Sequence, residues 1–126
     1  MLLKVTPEVL DEIWPRAAEW LSPAIERDGL TDKETVYSSI KNGYNQLWVC
    51  ETAAAVTCLE DYPKGRVCFL WLAGGSDLSK ILSHLSDMEQ WAKAMNCSQI
   101  RITGRRGWKR LLDEYKEPYI TLERTL

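Results

Sequence analysis

Apolar residues recur at Val9, Leu10, Ile13, Trp14, Ala17, Trp20 and Leu21, the three-and-four spacing of one helical face. The spacing predicts a helical region from Pro7 to about Arg27. Thr6 is placed to accept orphan backbone N–H groups there, and Pro7 suits the first helical position. Pro15 and Pro23 fall inside the pattern and each removes a backbone donor, so a kinked or segmented helix is expected. A short strand at 2–5 precedes this region, and Asp28-Gly29 closes it. Thr31-Asp32-Lys33-Glu34 then reads as a capping box with Thr31 at the cap. A second helix is expected over about 32–41, with Asn42-Gly43 as its stop.

The pattern then shifts to short apolar runs separated by turn residues. Strands are expected at 46–51, 55–60 and 66–73, arranged as an antiparallel meander. The third of them, Val67 to Ala73, is apolar on both faces, which predicts a central strand with helices on both sides of the sheet. Leu78, Ile81, Leu82, Leu85, Met88, Ala92 and Met95 predict one long helix over about 77–95. A strand at 98–103, a break at Gly104-Arg105-Arg106-Gly107, a short helix at 108–115 and a last strand at 119–124 complete the order β α α β β β α β α β. This is a single α+β domain over residues 1–126, with a mixed, mostly antiparallel sheet of about six strands.

Composition narrows the function classes. The 126 residues suffice for one domain with its own core. Sixteen Lys and Arg against eighteen Asp and Glu argue against a dedicated nucleic-acid or membrane-surface binder. No apolar run has the length of a membrane span, and the first ten residues do not form a signal peptide. Cys50, Cys58, Cys68 and Cys97 form no CxxC pair, and His84 is the only histidine, so no metal site is expected. The cysteines of the apolar runs read as buried free thiols, which fits a reducing, cytoplasmic setting. His84 lies at the edge of an apolar stripe and reads as structural, and no Ser-His-Asp or Cys-His arrangement can be built. Six tryptophans are unusual in so short a chain; a rim Trp is a common anchor for a protein partner.

The element order resembles the GNAT acyltransferase fold. The stretch Ile102-Thr103-Gly104-Arg105-Arg106-Gly107-Trp108, with Leu111-Leu112 and Tyr115 beyond it, also resembles divergent GNAT-like proteins of tailed phages. The resemblance implies an acyl-CoA site at the loop after the fourth strand, where that family carries Gln/Arg-x-x-Gly-x-Gly/Ala and backbone N–H groups hold the pyrophosphate. Here the loop reads Ala73-Gly74-Gly75-Ser76-Asp77-Leu78, shorter and without the Gln/Arg position. Gly74, Gly75 and Ser76 are either a surviving phosphate cradle or a tight turn, and Asp77 brings a charge that repels phosphate.

The family's acid Tyr corresponds to Leu112, which has no proton to give; Tyr115, one turn on, is the candidate substitute. Glu51 and Glu60, at strand ends of the meander, are the candidate bases. Arg105 and Arg106 head a basic cluster with Arg101, Lys109 and Arg110 that is either a second contact to cofactor phosphate or a solvated face. Two functions follow. The first is a divergent, non-catalytic domain that binds a protein partner, as a phage virion component or host-factor binder. The second is an N-acyltransferase using acetyl-CoA or another acyl-CoA through an atypical loop.

Overall fold

The computed structural model describes residues 1–104 and 106–126; Arg105, and the side chain of Arg106, lie outside the described residues. The element order is β1 (Leu3–Lys4), α1 (Leu10–Asp28), α2 (Lys33–Lys41), β2 (Asn45–Val49), β3 (Ala53–Tyr62), β4 (Gly65–Gly75), α3 (Ser79–Ser83), α4 (Leu85–Ala94) and β5 (Cys97–Ile102). A 3-10 turn follows at Arg106–Leu111. The sheet runs β1-β2-β3-β4-β5. Its first three pairings are antiparallel, and β5 lies parallel to β4 after the α3–α4 crossover. Among the described residues no helix is long and apolar enough to cross a membrane.

Two helical layers sandwich the sheet, as the two-sided apolarity of β4 requires. On one face α1 and α2 bury Leu10, Leu21, Ile25, Val36 and Ile40 against Leu47, Val56 and Leu72. On the other, α3 and α4 bury Ile81, Leu82, Leu85 and Met88 against Trp48, Ala55, Leu70 and Ala73, with Leu112 closing the cluster. Thr57 is the one buried polar residue among those described. Its hydroxyl accepts from the Trp48 indole at 3.0 Å and donates to Gln46 at 2.8 Å, so nothing polar is stranded beneath the sheet.

Several boundaries differ from the sequence expectation. The first helix begins at Leu10, after a turn over Thr6–Val9, and is one continuous helix. Pro15 and Pro23 are both exposed, and so are Asp11 and Glu19, whose carbonyls they leave without an intrahelical donor. Both positions lie on the solvent face, where water can replace the missing donor, so the helix continues past both prolines. The second helix is capped by Asp32, which accepts from the Thr35 N–H at 2.8 Å, and not by Thr31. Gly74 and Gly75 are not a turn but the end of β4, paired with Ala54 and Ala53.

The expected helix over 77–95 is two helices, because the His84 backbone (φ −113°, ψ 22°) leaves the helical region. That change of direction lets Ile81 and Leu82 reach the same core as Leu85 and Met88. The short helix expected at 108–115 is the 3-10 turn, which starts earlier and ends at Leu111. The last expected strand, 119–124, is not formed; these residues are exposed and the sheet has five strands.

Candidate functional site

The sheet opens where β4 and β5 part. Their pairing runs from Arg66↔Cys97 to Leu70↔Ile102 and stops there, although β4 continues to Gly75. At the same level β4 carries an extra residue: Thr57 pairs with Leu70 but Val56 pairs with Leu72, which leaves Trp71 as a bulge. A bulge bends its strand and sharpens the local twist, which turns the upper half of β4 away from β5. The Trp71 indole donates to Asp28 at the end of α1, at 2.9 Å, fixing the bulged residue against that layer.

A shallow groove of 260 Å³ lies beside this parting, lined by Cys58, Glu60, Tyr62, Phe69, Trp71 and Thr103. Glu60 is its carboxylate. Burial first, and the Glu60 charge second, push the Cys58 thiol up, so Cys58 is a neutral thiol and not a thiolate nucleophile. Cys68, on the neighbouring strand, is pushed up to about 12 by its burial. All four cysteines are free; Cys68 is buried and Cys50, Cys58 and Cys97 are half-buried. Among the described residues no group of His, Cys, Asp and Glu has the arrangement of a metal centre.

The structure does not bring the three candidate acid–base residues together. Glu51 is exposed in the β2–β3 turn. Glu60 lies nine residues further along β3, roughly 30 Å at strand spacing. Tyr115 lies on the other face of the sheet, half-buried, and donates to Glu89 of α4 at 2.6 Å. Burial, then that hydrogen bond and the Glu89 charge, raise its phenol above the ordinary tyrosine range. A raised phenol parts with its proton less readily, which opposes donation to a departing thiolate. Nothing in the sequence marks Glu89 as its partner, because the pairing spans two elements.

Raising the phenol also has a pH signature. The neutral Tyr115 is favoured in the fold, so its contribution is complete below about pH 10 and is lost as the pH rises through the raised value. In an alkaline titration followed by phenolate absorbance, Tyr115 and the Asp11-bonded Tyr37 are expected to ionise late, above the ordinary tyrosine range. Tyr115→Phe should remove one late component; loss of a component in the ordinary tyrosine range instead would place Tyr115 in water.

At the far end of β4, the expected phosphate cradle is occupied by its own chain. The Ser76 N–H donates to the Thr52 carbonyl at 2.8 Å, and the Ser76 hydroxyl to the same oxygen at 3.3 Å. Asp77 accepts from the Ser79 N–H at 3.1 Å, taking the first free donor of α3. The two glycines serve packing. A Cβ on Gly74 would stand 2.1 Å from the Trp20 carbonyl oxygen of α1. One on Gly75 (φ +154°) would stand 2.3 Å from the Thr52 oxygen.

Arg105 and Arg106 fall on the residue and the side chain that are not described. Of the remaining basic cluster, Lys109 donates to the Tyr115 carbonyl and Arg101 lies over the Phe69 ring. Trp108 packs on the second core and stacks over Gly104, where an added Cβ would stand 2.5 Å from the indole. The 3-10 turn also contacts α3, so this segment covers the flank of the opening.

No protein-family profile and no curated protein sequence matches this chain. Solved structures do match it along its whole length. A predicted acetyltransferase of Clostridium acetobutylicum, solved with acetyl-CoA, shares 12% identity over 98% of this chain and 95% of its own, with a TM-score of 0.65. A GNAT family acetyltransferase of Staphylococcus aureus shares 12% over 100% and 98%, with a TM-score of 0.61. A transcriptional regulator of Bacillus halodurans shares 16% over 100% and 99%, with a TM-score of 0.68. At these identities the likeness is one of fold, and the fold is GNAT-like.

Proposed function

We propose that this GNAT-like domain works by binding a protein partner and does not carry acyl groups on coenzyme A. The observation that carries this reading is the state of the phosphate position: Asp77 and Thr52 already hold the donors of Ser79 and Ser76. A pyrophosphate entering there would have to displace a carboxylate from a helix start and meet its charge. Burial of Leu112 and the packing of Trp108 into the core beside the opening support the same reading. On this reading the partner is a protein of a phage virion or of its host.

One observation favours a second reading, an acyl-CoA-dependent N-acyltransferase with a shortened pyrophosphate loop. Beyond Leu70 the β5 side of β4 has no strand partner among the described residues, and an amide-bearing pantetheine arm can pair with such an edge. Glu60, in the groove beside the bulge, would then be the base for an amine acceptor.

Titration with acetyl-CoA, CoA and a longer acyl-CoA, followed by thermal unfolding, separates the two. Binding at 100 times the dissociation constant stabilises by about 2.7 kcal/mol, a rise of several degrees for a domain of this size. No rise at millimolar ligand is the expected result. A saturable rise, with CoA release from acetyl-CoA in the presence of amines that is lost in Glu60→Gln, would overturn the binding reading.

A further inference from the structure

The α1–α2 face of the sheet is only partly covered. α1 and α2 pack over Val56 and Leu72. Further along β3 the two-residue period puts Cys58, Glu60 and Tyr62 on the same face as Val56. Cys58 pairs with Phe69, and Phe69 with Arg101, so this face continues across β4 to β5. None of these five residues belongs to either core. α1 stops at Asp28, whose carboxylate accepts from the Trp71 indole at 2.9 Å and from the Leu30 N–H at 3.1 Å, so Trp71 marks where the covered part ends. Beyond it lies the 260 Å³ groove.

The groove combines rings with a carboxylate. Tyr62, Phe69 and Trp71 line it together with Glu60. Tyr62 and Glu60 are exposed, and neither ion pair formed among the described residues involves Glu60. Ring faces carry negative potential, so rings and carboxylate together favour a cation and disfavour an anion. The face already holds one cation: the Arg101 guanidinium lies 6.0 Å from the Phe69 ring centre and 5.5 Å from that of Tyr119. Arg101 comes from the β5 side and does not line the groove, so Glu60 keeps its place for a second.

We propose that this groove seats an arginine side chain of the partner protein, its guanidinium paired with Glu60 and stacked on the aromatic wall. The inference rests on the binding reading above and names what that partner presents. A planar guanidinium can lie on a ring while its edge donates two hydrogen bonds to one carboxylate, which suits a shallow groove. An ammonium is compact and strongly hydrated, and gains less from an open site. An aliphatic side chain would cover the rings but leave the Glu60 charge unpaired beside it. A guanidinium also stays protonated and so is no acyl acceptor, in keeping with a site that binds and does not transfer.

The experiment is an NMR titration of the full chain with a blocked tripeptide carrying a central arginine, beside the same peptide with lysine or leucine there. The arginine peptide should give saturable shifts at the Trp71 indole N–H and at the amides of 58–62 and 69–71, with binding at least ~10-fold tighter than that of the leucine peptide. Glu60→Gln should weaken it ~10-fold, and Tyr62→Ala, at an exposed position, should weaken it without lowering the melting temperature. No saturable shift, equal binding of lysine and arginine, or an unchanged affinity in Glu60→Gln would overturn the proposal and leave the binding reading standing. Saturable binding of acetyl-CoA in the same sample, with acylation of the lysine peptide, would overturn both.

Discussion

Gly74→Ala is expected to cost about 3 kcal/mol or more, at or beyond the upper end of ordinary overpacking. The added methyl would stand 2.1 Å from the carbonyl oxygen of Trp20 and 3.1 Å from its carbonyl carbon. Both are backbone atoms of α1, so no side-chain rotation relieves the clash and the helix itself must lift from β4. Lifting it opens the seam that holds Leu21 and Leu72. Urea denaturation reads the cost as a lowered midpoint at unchanged slope. Gly107→Ala is the control, since its Cβ meets nothing within 4 Å, and it should lie within about 0.5 kcal/mol of the parent. A Gly74→Ala midpoint indistinguishable from the control would mean that α1 does not approach the strand this closely. The same geometry disqualifies substitutions at Gly74 and Gly75 as probes of a phosphate site, because they break packing first.

Leu21→Ala is the second large effect, about 3–5 kcal/mol. Leu21 is fully buried at the centre of the first core. The cavity would be bounded by the α1 backbone and β4, neither of which can collapse freely into it. The Leu21 Cα also lies 3.6 Å from the Cβ position of Gly74. The two substitutions therefore act on one seam, and the double variant should cost less than the sum, by about 0.5 kcal/mol or more. A helix already loosened by Leu21→Ala can shift to admit the methyl. Strict additivity in a double-mutant cycle would contradict a shared seam.

The layers of this fold were legible because periodicity reports burial. The three-and-four spacing from Val9 to Leu21 and the unbroken apolar run of β4 each pointed to the correct layer. The features that decide function depend on pairs far apart in the chain. Gly74 resembles a loop glycine until Trp20 is placed against it. Asp77 was recognisable as a charge in a helix's first turn, but not as the group that holds the Ser79 N–H. Glu60 was visible only as a strand-end carboxylate; its place beside the bulge needs the Val56/Thr57 register shift, which leaves no mark in sequence. Tyr115 owes its raised phenol to Glu89, across an element boundary. The strand pattern at 119–124 forms no strand in the structure, because strand pairing is a property of two segments and periodicity describes one.

The distribution of the two cores along the chain has a consequence for how the protein emerges from synthesis. The buried residues of the α1–α2 layer run from Val5 to Leu72, whereas those of the opposite layer run from Leu2 to Leu112. Four of the five strands are likewise complete by Gly75. The first face of the sheet thus needs nothing from the last fifty or so residues to close, and burial there follows the direction of translation. Until α3 and α4 arrive, the apolar underside of β4 waits uncovered, and that is the interval in which a nascent chain of this sequence is most open to capture by other chains.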